Sequence, residues 1–199
     1  MTMKSLIFIL VLFNFSSFVW SIWGVFVEKG TASIGLKVIK FCSIFAMSAE
    51  LYAVYKSPIT FSISTMLGLS LILLSATLFW LSVIVNNRKK LSLAFSPDLP
   101  EHLVKSGPYR FVRHPFYLSY LLTYAAGFLV TGNYWLVPIF TLMFAIYYWA
   151  ARFEESKFLK SDWADEYLKY KAKAGLLLPK IFIPARSKHS EKKKYSDVK

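Results

Sequence analysis

Long apolar segments alternate with short polar connections along this chain, without the regular polar positions of a surface helix or strand. Five such segments cover approximately residues 5–27, 34–55, 61–85, 116–130 and 134–151. A helix needs roughly 20 apolar residues to cross the hydrocarbon core of a bilayer. The pattern therefore predicts an all-α integral membrane protein with about five transmembrane helices, of which the fourth is the shortest.

The polar connections predict how these helices are joined. Ser57-Pro58 breaks the chain between the second and third segments. The joint between the fourth and fifth segments, Thr131 to Asn133, is so short that it forces an antiparallel helical hairpin.

After the fifth segment the pattern changes to that of a charged amphipathic helix over residues 152–173. Its apolar positions recur at helical spacing: Phe158, Leu159, Trp163, Tyr167 and Tyr170. We expect Tyr167 and Tyr170 to be core residues of this helix.

The chain as a whole is predicted to have three parts. Residues 1–90 hold three N-terminal helices, residues 91–184 form a region with the hairpin, and residues 185–199 form a basic disordered tail.

Composition supports a membrane location over nucleic-acid binding. The chain is 56% hydrophobic and 18% aromatic, and its net charge of +13 lies between and after the apolar segments. Basic residues in such places report topology and contact with anionic lipid.

Trp20 and Trp23 stand where a signal peptide would need small residues, so the first segment is predicted to be a retained span. The single cysteine, Cys42, excludes an intrachain disulfide and is expected to be buried.

The basic residues also predict an orientation. The basic loop and tail residues are Arg88, Lys89, Lys90, Lys105, Arg110, Arg113 and Arg152, and Lys29, Lys37 and Lys40 fall on the same side. Placing them in the cytoplasm puts the N-terminus outside and the C-terminus inside. The prediction is a multi-pass protein with its polar chemistry facing the cytoplasm.

Residues 102–117 concentrate polar chemistry at the edge of the fourth apolar segment. Gly107-Pro108 predicts a turn with positive φ at the glycine. Pro115 suits the first turn of a helix and pushes His114 towards an extended conformation. Arg113 and His114 then lie at a helix N-terminus, where free backbone donors and an arginine favour a carboxylate or phosphate.

A second polar cluster, Arg152 to Glu155, leaves the fifth segment on the same predicted side. The topology predicts a pocket between the two clusters that meets both lipid and cytosol. Glu154 has two open interpretations, a solvated or a functional side chain, and His102 is equally compatible with a capping and a binding role. No histidine–acid pair is evident in the sequence.

These motifs resemble one family of membrane enzymes. The stretch Leu-Val-x-x-Gly-Pro-Tyr-Arg-Phe-Val-Arg-His-Pro-x-Tyr, the hairpin, Glu-Glu and a Tyr-x-x-Tyr helix are similar to isoprenylcysteine carboxyl methyltransferases. Phospholipid N-methyltransferases share the same C-terminal half. The resemblance covers about residues 99–184. Departures include Ser119, where glycine is common, and Ser156, which stands at the position of the second acid.

The resemblance implies S-adenosylmethionine as methyl donor, held without a Rossmann domain and without a metal. It implies donor-binding roles for His102, Leu103, Val104, Tyr109, Arg113, His114, Tyr117 and Glu155. It further implies catalytic roles for Arg113, Arg152 and Glu155, with Arg152 facing the carboxylate of the acceptor. The partners expected are the bilayer and a lipidic or prenylated acceptor, and no nucleic acid.

The leading functional hypothesis is methyl transfer to a lipidic carboxylate such as that of a prenylated cysteine. An amine acceptor would need a base, and the lack of an evident histidine–acid pair favours a carboxylate or thiol acceptor. Methylation of a phospholipid or another amine is the first alternative. A non-catalytic membrane scaffold or carrier with the same fold is the second, and a nicotinamide-dependent sterol reductase is a more distant one.

Overall fold

The computed structural model describes residues 2–27, 33–86, 91–92, 99–100 and 102–180. Within these residues the chain forms six α-helices: α1 Met3–Gly24, α2 Ile34–Lys56, α3 Ile63–Asn86, α4 Pro115–Thr131, α5 Leu136–Phe158 and α6 Ala164–Lys173. A 3₁₀ turn occupies Gly107–Arg110, and the two-residue strands β1 (Phe26–Val27) and β2 (Leu91–Ser92) pair in parallel. Each predicted apolar segment is therefore one helix. Several of the basic residues assigned to the cytoplasmic side, and the predicted tail, lie outside the described residues: Lys29, Arg88, Lys89, Lys90 and 185–199.

Local sequence explains where the helices begin and end. The hydroxyls of Thr2 and Ser33 accept hydrogen bonds from the backbone N–H groups of Ser5 and Leu36, at 3.2 Å each, and so cap α1 and α2. Gly132 ends α4 with φ of 68°, a left-handed conformation that suits glycine.

One helix boundary differs from the prediction. The amphipathic pattern was expected to begin a new helix at Arg152, but α5 continues through Arg152 and Glu155 to Phe158, and the separate helix α6 covers only Ala164–Lys173. A turn separates the two helices, and in it the Ser161 hydroxyl accepts a hydrogen bond from the Trp163 N–H at 3.2 Å. Such local side-chain bonding competes with a continuous helix.

Helices α3 and α4 pack closely and antiparallel through small residues. The Ser75 hydroxyl donates to the Ser119 carbonyl at 2.6 Å, so the serine that departs from the family pattern lies buried in this interface. A Cβ on Gly68 would lie 2.5 Å from a methyl carbon of Val130, which leaves room only for glycine. Close approach through small residues is typical of helix packing in membranes.

Polar side chains connect the other helices within the bundle. Asn14 of α1 donates at 3.1 Å both to the Ile72 carbonyl and to the Thr123 hydroxyl. The Ser43 hydroxyl of α2 lies 3.0 Å from the Tyr147 hydroxyl of α5. These contacts order α1 to α5 as a bundle of alternating direction. We call the end where α4 begins and α5 ends the polar end of the bundle.

The described part of the chain contains three helices that are long and apolar enough to cross a membrane by length and composition: Met3–Ile22, Ile63–Asn86 and Leu136–Phe158. Helix α4 is shorter, at 17 residues, and α2 carries Lys37, Lys40 and Glu50. Large apolar side chains such as Ile84 and Trp149 point outward from the bundle, as expected for a lipid-facing surface. The count of five spans stays a prediction.

Glu50 is a carboxyl group buried inside the bundle. Glu50 is 1% exposed, and neither of its side-chain oxygens has a hydrogen-bond partner among the described residues. Its carboxyl group packs on Gly127 so closely that a Cβ there would lie 2.5 Å from Oε1. A buried polar group without a partner destabilises the fold by the free energy of its desolvation.

Replacing Glu50 by methionine is therefore expected to stabilise the bundle. The change keeps the side-chain volume and removes the desolvated carboxyl, so the free energy of unfolding should rise by about 1–2 kcal/mol. Unfolding by sodium dodecyl sulfate in mixed micelles measures the change. Glu50→Gln is the matched control, because its amide still lacks a partner and should give no such gain. A methionine variant less stable than the glutamine variant would contradict this account.

Candidate active site

The 3₁₀ turn before α4 is fixed by a glycine and a proline. Gly107 has φ of 56°, as its Gly-Pro sequence predicts, and a Cβ there would lie 2.5 Å from a methyl carbon of Val85. Pro108, the second residue of the turn, is buried. Pro115 is the first residue of α4, also as predicted. Glycine and proline thus set the path of the chain between α3 and α4.

The segment after the turn is held by the chain beyond α6. Val112 and Gly175 form a parallel bridge: the Gly175 N–H donates to the Phe111 carbonyl at 2.9 Å, and the Arg113 N–H donates to the Gly175 carbonyl at 2.8 Å. The His114 N–H donates to the Leu176 carbonyl at 3.2 Å. The backbone N–H groups of Arg113 and His114, which precede the N-terminus of α4, are therefore used within the chain.

Arg113 and Glu155 form a buried ion pair. Arg113 Nε lies 2.6 Å from Glu155 Oε1, and the two side chains are only 6% and 3% exposed. The same guanidinium donates to the Ala174 carbonyl. This pair joins the start of α4, the end of α5 and the chain after α6, so the predicted convergence of the two polar clusters is confirmed.

Two further cations contact the other oxygen of Glu155. Arg152 lies 3.2 Å and Lys171 Nζ 3.1 Å from Oε2. With Arg113, three positive charges surround one carboxylate. Because the Arg152 side chain is 51% exposed, part of this excess positive charge faces outward. The arrangement favours an additional anion near Arg152.

Glu154 has different partners from its neighbour Glu155. The Tyr117 hydroxyl donates to Glu154 Oε1, and His114 Nδ1 lies 3.4 Å from Glu154 Oε2. The rings of His114 and Tyr117 stack with centroids 5.6 Å apart, and Tyr117 stacks on Tyr147 at 5.2 Å. The expectation that no histidine–acid pair is present was wrong, because helix packing brings the pair together from residues 40 positions apart in the sequence.

Residues 102–105 run beside α6. Leu103 packs against the buried pair Tyr167 and Tyr170, which confirms those tyrosines as core residues. Burial raises the pKa of both tyrosine hydroxyls, so they stay neutral. Lys105 forms an exposed ion pair with Glu166. His102, Leu103 and Val104 are partly buried here, and their predicted contact with a methyl donor stays a prediction.

Tyr109 is fixed from two sides. Its hydroxyl accepts a hydrogen bond from Asn86 Nδ2 at 2.9 Å, and its carbonyl accepts one from the Tyr170 hydroxyl at 2.7 Å. Burial raises the pKa of the Tyr109 hydroxyl. Sequence reasoning missed Asn86 and Lys171 as members of this region. In the sequence, Asn86 directly follows an apolar segment and Lys171 is one of several lysines on an amphipathic helix, so neither is distinguished by its pattern.

An apolar helical bundle with charged and aromatic side chains gathered at one end defines an integral membrane protein with a polar site. Residues 63–166, more than half of the chain, match the model of the phospholipid methyltransferase family. The chain therefore belongs to this family, which is part of the wider group of membrane methyltransferases that includes the isoprenylcysteine carboxyl methyltransferases. Comparison with curated proteins found no match.

The family match confirms the resemblance and changes its extent. It begins at the first residue of α3, whereas the motifs in the sequence carried the resemblance only from about residue 99. Helix α3 supplies Asn86, Val85 and Ser75 to the region described above. The matched region thus includes the helix against which α4 packs.

Replacing Glu155 by glutamine is expected to destabilise the protein strongly. The change leaves the Arg113 guanidinium buried without a counter-charge, and breaking a buried pair in this way typically costs about 3–5 kcal/mol. Thermal unfolding in detergent measures the loss.

Glu166→Gln is the matched control for this prediction. It removes the same charge from the exposed Lys105–Glu166 pair, and exposed pairs contribute at most about 1 kcal/mol. Equal effects of the two substitutions on thermal unfolding would show that burial of the Arg113–Glu155 pair does not determine its contribution to stability.

Proposed function

We propose that this protein transfers a methyl group from S-adenosylmethionine to the headgroup amine of a phospholipid at the polar end of the bundle. The observation that carries the proposal is the His114–Glu154 pair beside the stacked Tyr117 ring, in a chain that belongs to the phospholipid methyltransferase family. The polar end is proposed to face the cytoplasm, as the basic residues of the sequence predict.

The residues at this end suit a sulfonium donor. When bound, S-adenosylmethionine supplies an electrophilic methyl group. Glu154 provides a partly exposed negative charge, and Tyr117 and His114 provide aromatic faces, which together favour a cation. Both Glu155 oxygens are engaged by protein cations. We therefore assign donor contact to Glu154, and to Glu155 the positioning of Arg113 and Lys171.

An amine acceptor also requires removal of a proton. A protonated amine has no lone pair to attack a methyl group, so a base must take its proton first. Histidine is the side chain most often used for this at neutral pH, and a carboxylate at Nδ1 favours the tautomer in which Nε2 accepts the proton. His114 with Glu154 at Nδ1 has this arrangement. The pair removes the reason that had favoured a carboxylate acceptor.

A lipidic carboxylate, such as that of a prenylated cysteine, is the second candidate acceptor. The observation in its favour is the exposed Arg152 in a cluster with excess positive charge. A carboxylate is already ionised at neutral pH and needs no base. In this reaction Arg152 would hold the acceptor, and the His114–Glu154 pair would serve only the donor.

Glu154→Gln and His114→Ala are each expected to weaken binding of S-adenosylmethionine by roughly tenfold, because each removes a group that favours the sulfonium cation, the carboxylate charge or an aromatic face. Isothermal titration calorimetry on the full chain in detergent measures the affinity. Lys105→Ala is the control, because its exposed pair with Glu166 lies outside the proposed contacts. Absence of binding to the unaltered protein would favour a non-catalytic scaffold.

The nature of the product distinguishes the two acceptors. With methyl-labelled S-adenosylmethionine and vesicles containing phosphatidylethanolamine, we expect label in the lipid that mild base does not release, because an N-methyl group resists hydrolysis. Vesicles of phosphatidylcholine, which has no methyl position left on nitrogen, are the control. Base-labile label on a farnesylated cysteine, with none on phosphatidylethanolamine, would establish the carboxylate reaction instead.

A further inference from the structure

Asn86, the last residue of α3, has an unused hydrogen-bond acceptor. The residue is 3% exposed, and its Nδ2 donates to the Ser82 carbonyl at 2.7 Å and to the Tyr109 hydroxyl at 2.9 Å. A carbonyl oxygen only accepts, so Ser82 fixes the orientation of the amide. Oδ1 then has no hydrogen-bond partner among the described residues. Leaving a buried acceptor unpaired is unfavourable, which points to a ligand at this position.

The Tyr109 hydroxyl offers the complementary group. It accepts from Asn86, so its own proton is available to donate to another atom. Burial raises the pKa of this hydroxyl, so the proton is retained. Asn86 and Tyr109 thus present one acceptor and one donor side by side, and both groups are neutral.

The pair lies at the same end of the bundle as the charged residues. The Tyr109 carbonyl accepts from Tyr170 of α6, and Tyr109 belongs to the turn that leads directly to Arg113 and His114. Gly107 of this turn contacts Val85, the neighbour of Asn86 in α3. The site therefore has a neutral part at Asn86 and a charged part at Glu154.

The chemistry of the neutral part selects one portion of the donor. An ammonium group needs only acceptors, and a carboxylate needs only donors. The edge of an adenine ring presents an N–H donor beside a ring-nitrogen acceptor, which is the complement of one acceptor and one donor side by side. A neutral base also avoids the unfavourable burial of a charge.

We propose that Asn86 and Tyr109 form the subsite that recognises the adenine ring of the methyl donor. Asn86 Oδ1 accepts a hydrogen bond from the exocyclic amine, and the Tyr109 hydroxyl donates to the adjacent ring nitrogen N7, which inosine shares. This inference rests on the proposed function, because it takes S-adenosylmethionine as the donor.

Comparison of S-adenosylhomocysteine with S-inosylhomocysteine tests the subsite. Inosine carries an oxygen in place of the exocyclic amine, so it cannot donate to Asn86. Calorimetry on the full chain in detergent should show the adenosyl compound binding roughly tenfold more tightly, as expected for one buried hydrogen bond. In Asn86→Leu, affinity for the adenosyl compound should fall to that for the inosyl compound, and the ratio should approach one.

Two other variants make the test specific. Ser82→Ala removes a neighbouring hydroxyl that donates within α3, to the Leu78 carbonyl at 2.7 Å, and should keep the wild-type ratio. Tyr109→Phe keeps the ring and removes only the hydroxyl donor, so it should weaken adenosyl binding roughly tenfold even if Asn86→Leu fails to fold.

The outcomes separate this inference from the proposed function. If the wild-type protein binds both compounds equally, or if Asn86→Leu weakens both by the same factor, the adenine subsite is wrong and the methyltransferase proposal stands. If the wild-type protein binds neither compound, the proposed function is overturned, and this inference with it.

Discussion

The buried ion pair between Arg113 and Glu155 is the constraint on which the rest of the site depends. A guanidinium and a carboxylate can be removed from water together only if each finds enough partners. Glu155 is reached by three cations, and the Arg113 guanidinium also donates to the Ala174 carbonyl. These contacts require the start of α4, the end of α5 and the chain after α6 to meet. The backbone bridge between Val112 and Gly175 also holds the segment before α4 against the chain after α6.

Local chemistry made much of this predictable from the sequence. The apolar segments gave the helices, and the short joint at Thr131 to Asn133 gave the hairpin. Gly107 and Pro115 act through their own backbone preferences, so the turn and the start of α4 could be predicted without knowledge of any neighbour. Because the two ends of a hairpin lie on one side, the convergence of the two polar clusters also followed from topology.

The pairings between distant residues could not be predicted in the same way. Adjacent residues of an α-helix point about 100° apart. Glu154 and Glu155 therefore face different partners, His114 and Arg113, and no sequence spacing states which glutamate faces which. Asn86 and Lys171 were missed for the same reason. Each reaches the site through helix packing, whereas the sequence pattern around it indicates only whether a position is buried or solvated. Glu50 is one polar residue in an apolar segment of the sequence, and its burial follows from the packing of α2 on α4.

The two parts of the site follow from where the bundle can hold charge. Arg113, Glu155 and Lys171 form a nearly closed set of charges that holds α4, α5 and α6 together. Glu154 remains outside that set, partly exposed and beside aromatic rings, so a cation can approach it at little cost in desolvation. The end of α3 contributes neutral groups instead, because a charge there would be buried without a partner. A donor that carries both a cationic sulfonium and a neutral base matches this division, whereas a wholly charged or wholly apolar ligand would leave one part unpaired.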